Sequence, residues 1–225
     1  MNNITFDFRD KNVLIVGASR GIGVGLVVGF TKSGANIIEA SSSNCDLKSK
    51  DEIDTFVNSL SSVDILINNA AINYAKKIND ITWDEWNEVL NTNLRGYFYM
   101  TKKVLNIMPN GGKIVNVSSI AGRHRSYVSG VHYTSSKAGI IGLTKQIAYE
   151  VSGRNINVNA VCPSQTLTDM CKQTLTKKNK QEQEALIPLG RFANVNEVVN
   201  PIMFLCSSEA NYITGTTLDI NGGQL

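Results

Sequence analysis

Val13-Leu14-Ile15-Val16-Gly17-Ala18-Ser19-Arg20-Gly21-Ile22-Gly23 runs an apolar tetrapeptide straight into three glycines spaced four and then two residues apart. The apolar run predicts a buried strand, and the glycines predict a turn into a helix. Gly17 permits the tight turn, Gly21 lets backbone approach a pyrophosphate, and Gly23 lets the helix pack closely on its sheet. The helix start then offers unpaired N–H groups and a partial positive charge to phosphate oxygens. Ser19, Arg20 and Ile22 belong to the same phosphate-facing turn.

Outward from this junction, short β-branched runs alternate with longer helical stretches. The pattern predicts strands at 12–16, 36–39, 65–68, 113–117, 155–161 and 217–220. Helices are expected at 22–33, 50–60, 82–108, 133–152 and 196–206, with a further piece within 168–186. Such alternation predicts an α/β fold, a Rossmann-type doubly wound parallel sheet with helices on both faces. Ligands of these sheets bind outside the carboxyl ends of the strands. Gly17, Asn69, Ser119 and Pro163 each follow a predicted strand, so they should meet in one crevice.

The chain has 225 residues, 42% apolar and 18% charged, which suits one domain spanning 1–225 rather than two. A net charge of +3 is too small to imply nucleic acid. No apolar run approaches the roughly 18 residues of a membrane span. The N-terminus lacks a basic-then-apolar leader pattern. Four irregularly spaced cysteines without a C-x-x-C read as reduced, cytoplasmic and metal-free.

Tyr133 and Lys137 stand four residues apart, so on a helix the ammonium sits beside the phenol. A neighbouring positive charge lowers a phenol toward the working range of a general acid. Tyr99 and Lys103 repeat the spacing and are expected to be ordinary helix surface.

The order of the segments resembles the short-chain dehydrogenase/reductase family, in particular its 3-oxoacyl-carrier-protein reductase-like members. Gly17-x-x-x-Gly21-x-Gly23, Asn68-Asn69-Ala70-Ala71, Asn91-Thr92-Asn93, Lys113 to Ser119, Tyr133 with Lys137, Pro163 to Met170, and Thr214-Gly215 with Asn221-Gly222-Gly223 fall in that family's order. The resemblance runs from about residue 10 to the C-terminus. Ala71 and Ser164 stand where the family has glycine. The resemblance implies an enzyme interconverting a carbonyl and a secondary alcohol. Ser119 would donate to the substrate oxygen, and Tyr133 would donate and transfer its proton. Lys137 would hold the nicotinamide ribose, and Asn93 would anchor a relay water. Ala70, Pro163 and Thr168 would line the cofactor. The four-residue spacing argues against the superfamily's enoyl-reductase variant. A non-catalytic dinucleotide sensor or scaffold is the rival reading, and such a protein would usually lack the serine, tyrosine or lysine.

Between the second strand and Asp46-Leu47, candidate cofactor-binding residues, only Ser41 to Cys45 intervenes where relatives usually place a helix, which leaves the adenine end of the crevice more open. Counting from Gly34 puts neutral Ser41 at the position that is acidic in NAD-preferring relatives. Glu39 shares that facing two residues earlier. Arg20 resembles the turn arginine of NADP-preferring members, so NADP(H) is favoured over NAD(H).

The segment 164–187 resembles a substrate lid, rich in lysine at 172, 177, 178 and 180. Arg123 and Arg125 follow the serine strand as candidate substrate-binding cations. Together they suggest an anionic small-molecule or carrier-bound substrate, either a 3-oxoacyl thioester or a sugar derivative. Trp83 and Trp86 are expected to pack. Small residues in 138–144 and the family's habit suggest a homo-oligomer, tetramer or dimer.

Overall fold

The computed structural model describes residues 6–168 and 176–224, and the side chain of Lys177 is not among those described. Lys172, together with Met170 and Cys171, lies outside the described residues.

Six parallel strands form one sheet in the order β2-β1-β3-β4-β5-β6. They are β1 (Asn12–Val16), β2 (Asn36–Ala40), β3 (Ile65–Asn68), β4 (Lys113–Val117), β5 (Asn157–Pro163) and β6 (Thr217–Ile220). The chain steps outward from β1 to β2, then crosses back to β3 on the other side of β1. A crevice opens where the winding reverses, and ligands of such sheets bind there.

The inner strands are largely apolar on both faces because helices cover both. On one face Leu14, Leu66, Ile114 and Val158 pack with α2 (Lys50–Asn58), α4 (Gly96–Val104) and α6 (Val131–Glu150). On the other, Val13, Ile15, Ile67 and Val115 meet α1 (Ile22–Lys32) and α8 (Val195–Cys206). The remaining α-helices among the described residues are α3 (Trp83–Leu90), α5 (Ile120–Arg123) and α7 (Lys177–Glu184).

Local chemistry sets several boundaries. Thr82 and Glu85 form a capping box that starts α3, and Asn194 with Glu197 does the same for α8. The helix expected at 82–108 is interrupted by a π-helical turn, Asn91–Arg95, between α3 and α4. The strand expected at 155–161 lies two residues later, because Asn155 is left-handed (φ 53°) and closes a 3-10 turn. Trp83 is 76% exposed, contrary to the packing role expected of it.

The short link after β2 is a self-contained turn. The Asn44 side chain accepts from the Ser41 N–H (2.8 Å) and donates to the Glu39 carbonyl (3.0 Å), and the Cys45 N–H donates to the Ser41 carbonyl. Among the described residues no further strand pairs beyond β2, which forms one edge of the sheet.

Candidate active site

A cleft of about 890 Å³ lies at the carboxyl ends of the strands. Gly17, Ser19, Arg20 and Ile22 wall one side, and Ser41, Asp46 and Leu47 line the far end. Asn69 and Ala70 follow β3, Pro163 and Thr168 follow β5, and Ser119, Tyr133 and Lys137 complete the wall. Gly21 and Gly23 sit behind this surface, and so does fully buried Asn93.

Backbone geometry explains the glycine turn. Gly17 has φ +84°, and a Cβ there would meet the Ala70 backbone at 2.6 Å. The Asn69 side chain donates to the Gly17 carbonyl at 2.9 Å, locking β1's turn to β3's. At Gly23 a Cβ would fall 2.0 Å from the Gly17 carbonyl oxygen, so the turn and helix touch directly. Side chains cap α2 through Ser49 and α3 through Thr82, and the Glu197 carboxylate accepts from the Asn194 N–H at the start of α8, whereas no side chain caps α1. The Gly23 N–H turns back to the Arg20 carbonyl at 3.0 Å, and the other N–H groups of the first turn are left for an anion, which fits a dinucleotide pyrophosphate.

The reacting end is built from three elements. Ser119 ends the β4 strand segment as the N-cap of α5, its Oγ accepting from the Ala121 N–H at 3.1 Å. Tyr133 and Lys137 share a face of α6, with the Lys137 Nζ 5.5 Å from the Tyr133 ring centre. Lys137 is 1% exposed and donates to the Val117 carbonyl at 2.7 Å. Burial pushes its ammonium down to about 7. Burial likewise raises the Tyr133 phenol, and the Ser119 hydroxyl offsets part of that. The acidified phenol expected from spacing alone is therefore not found, because desolvation of Tyr133 outweighs its neighbours.

Asn93 ties these parts together, accepting from the Ile72 N–H and donating to the Ile72 carbonyl, both at 2.9 Å, and reaching Ser136 on α6 at 3.2 Å. A buried ladder lies behind it. Asn68 donates to Asn116 (2.8 Å) and Thr101 (3.0 Å), and Asn116 donates to Thr144 (3.0 Å).

Tyr99 and Lys103 point the other way. The phenol donates to Asp54 at 2.8 Å, and the ammonium pairs with the same carboxylate oxygen at 3.0 Å, which holds Asp54 well below the usual carboxylate range. That pair clamps α2 to α4, away from the cleft.

The basic residues of the entrance are mostly paired. Arg123 meets Asp219 at 3.1 Å, Lys180 meets Glu184 at 3.3 Å, and Lys178 meets Glu182 at 4.0 Å. Neither Arg123 nor Arg125 lines the main cleft. Arg125 donates to the Tyr127 hydroxyl at 2.9 Å and borders an adjoining cavity of about 130 Å³ with His124, Gln165, Gln183 and Gln224. Glu39 is exposed and off the cleft. Sequence reasoning missed Tyr74, Ser126 and Ser129, which line the cleft from loops without a motif, and Gln165, which lines it from within the segment after Pro163.

A phosphate-binding turn, an uncapped helix start and a Ser–Tyr–Lys set facing one cleft define a dinucleotide-dependent oxidoreductase. Comparison with known proteins gives the family. A family model described as "Enoyl-(Acyl carrier protein) reductase" matches residues 38–224. A 3-oxoacyl-[acyl-carrier-protein] reductase of Aquifex aeolicus is 36% identical over 244 residues, 96% of this chain and 98% of that protein. An acetoacetyl-CoA reductase of Shinella zoogloeoides is 33% identical over 234 residues, covering 94% and 97%. A crystal structure of a 3-oxoacyl-[acyl-carrier protein] reductase from Brucella melitensis with bound NAD superposes with a TM-score of 0.89 at 29% identity, covering 96% of this chain and 92% of that one. The chain belongs to the short-chain dehydrogenase/reductase family. It is an oxidoreductase of that family, not a non-catalytic sensor.

Proposed function

We propose that this enzyme reduces the ketone of a 3-oxoacyl thioester to a secondary alcohol, with NADPH favoured as reductant. The observation that carries the reading is the convergence of Ser119, Tyr133 and Lys137 on one wall of the cleft that also holds the glycine turn. The dinucleotide supplies the hydride. As negative charge develops on the carbonyl oxygen, Ser119 and Tyr133 donate hydrogen bonds to it, and Tyr133 gives up its proton. The Lys137 ammonium, when charged, makes that transfer easier and would grip the nicotinamide ribose. Asn93 fixes the segment after β3 against α6 and would anchor the relay water.

Curated relatives named as oxoacyl and acetoacetyl reductases match nearly end to end, which favours the thioester over the sugar derivative. The family model's description raises C=C reduction as a second reading. The four-residue Tyr133–Lys137 spacing favours the carbonyl. NADPH consumption with acetoacetyl-CoA, crotonyl-CoA and a keto-sugar nucleotide separates the three, and turnover should be greatest with acetoacetyl-CoA. Greatest turnover with either alternative overturns the assignment.

NADP(H) preference is supported by Arg20 on the cleft wall, by Ser41 at the far end, and by Glu39 lying away from it. Arg125 is the entrance cation best placed to meet an anionic substrate, and 164–187 would act as the lid. An apolar patch of Leu90, Leu94, Phe98 and Leu143 beside Gly142 supports pairing with a second copy. Gly139 serves in-chain packing instead, since a Cβ there would meet Leu94 at 2.7 Å. No helix among the described residues is long and apolar enough to cross a membrane, and a cytoplasmic location fits the reduced cysteines.

A further inference from the structure

We propose that Tyr97, on α4, is a positioning residue that holds Lys137 in its charged form through the face of its aromatic ring. The Lys137 Nζ lies 5.6 Å from the centre of the Tyr97 ring and 5.5 Å from that of Tyr133, so two aromatic faces flank one buried ammonium. Ring faces are electronegative and attract a cation, most strongly where water is excluded. Lys137 needs such help. It is almost wholly buried, it has one hydrogen bond, to the Val117 carbonyl, and no carboxylate among the described residues pairs with it.

The groups around it can be enumerated by element. Tyr133 faces it from α6, Tyr97 from α4, the Val117 carbonyl from β4 and the Cys162 thiol from β5. Burial raises the Cys162 thiol and raises Tyr97 well above the usual phenol value, so neither supplies an anion near neutral pH. Tyr97 is completely buried and its hydroxyl has no hydrogen-bond partner among the described residues. The side chain therefore acts on Lys137 through its ring and not through its oxygen. The inference rests on Lys137 serving Tyr133 as in the function proposed above.

The test is a direct titration of the Lys137 ammonium by its Nζ resonance in the ligand-free enzyme, assigned with Lys137→Met. It compares wild type, Tyr97→Phe, and Tyr97→Phe carrying one, two or three ring fluorines, which drain the ring face at nearly constant size. Tyr97→Phe should titrate close to wild type, and the midpoint should fall stepwise with fluorination by about one pH unit in all, a roughly tenfold change in dissociation. A midpoint that stays flat across the fluorinated series, or that falls fully in Tyr97→Phe alone, overturns the proposal. The alkaline limb of kcat with acetoacetyl-CoA should move to lower pH in the same order. Stepwise midpoints in an enzyme that does not turn over acetoacetyl-CoA would support the role of Tyr97 and refute the substrate assignment separately.

Discussion

Asn93 grips Ile72 by both of that residue's backbone groups, accepting from its N–H and donating to its carbonyl at 2.9 Å each. This clasp joins the π-helical turn to the segment that follows β3, one wall of the cleft. Asn93→Ala would leave both backbone groups of Ile72 without these partners. Such losses cost about 1–3 kcal/mol per fully buried group and less at half-buried Ile72, so urea denaturation should show a stability loss of roughly 1–3 kcal/mol. A variant as stable as wild type would mean that the clasp contributes little.

Lys137 gives a stability signature with a defined sign. Its folded-state value of about 7 lies below the ordinary lysine value of 10.5. Between those values the unfolded chain binds a proton that the folded chain does not, so stability from this group rises with pH across that window. Below it, both states are charged and the full cost of burial remains. Lys137→Met, without cofactor, should be more stable than wild type at pH ~6, and the gap should narrow by pH ~9. A gap that widens with pH contradicts the assignment of a buried, destabilised ammonium.

Arg20 should set the cofactor preference. NADPH should bind more tightly than NADH, and Arg20→Ala should narrow the difference roughly ten- to a hundredfold, the size of a charge-assisted contact. Fluorescence titration of both dinucleotides measures it. Tighter binding of NADH by wild type would refute the preference.

Arg125 and Arg123 should separate. Arg123 is engaged with Asp219, whereas no carboxylate among the described residues pairs with Arg125. Arg125→Ala should raise KM for acetoacetyl-CoA and flatten the fall of kcat/KM with ionic strength, leaving kcat nearly unchanged. Arg123→Ala should do less to KM. Equal effects would return both arginines to surface charge.

Much of the fold was legible because its signals are local. Val13 to Gly23 reads as strand, turn and helix wherever it sits, and the capping boxes at Thr82 and Asn194 start helices by chemistry within four residues. The π-helical turn at Asn91–Arg95 was not legible, since it depends on Asn93 reaching across to Ile72 and Ser136. The pairing of Arg123 with Asp219, 96 residues away, likewise appears only in three dimensions. Tyr97 belongs to no motif, and its place over Lys137 appears only in three dimensions. Tyr99 with Lys103 and Tyr133 with Lys137 have the same spacing, and only the fold separates the clamp on Asp54 from the pair in the cleft.

The most direct test of the account is NADPH oxidation with acetoacetyl-CoA by wild type, Tyr133→Phe and Tyr99→Phe, alongside NADPH affinity for each. The account predicts near-normal NADPH binding in all three, a fall in kcat of roughly 10²–10⁴ for Tyr133→Phe, and little change for Tyr99→Phe. Near-normal turnover by Tyr133→Phe would contradict Tyr133 as the proton donor.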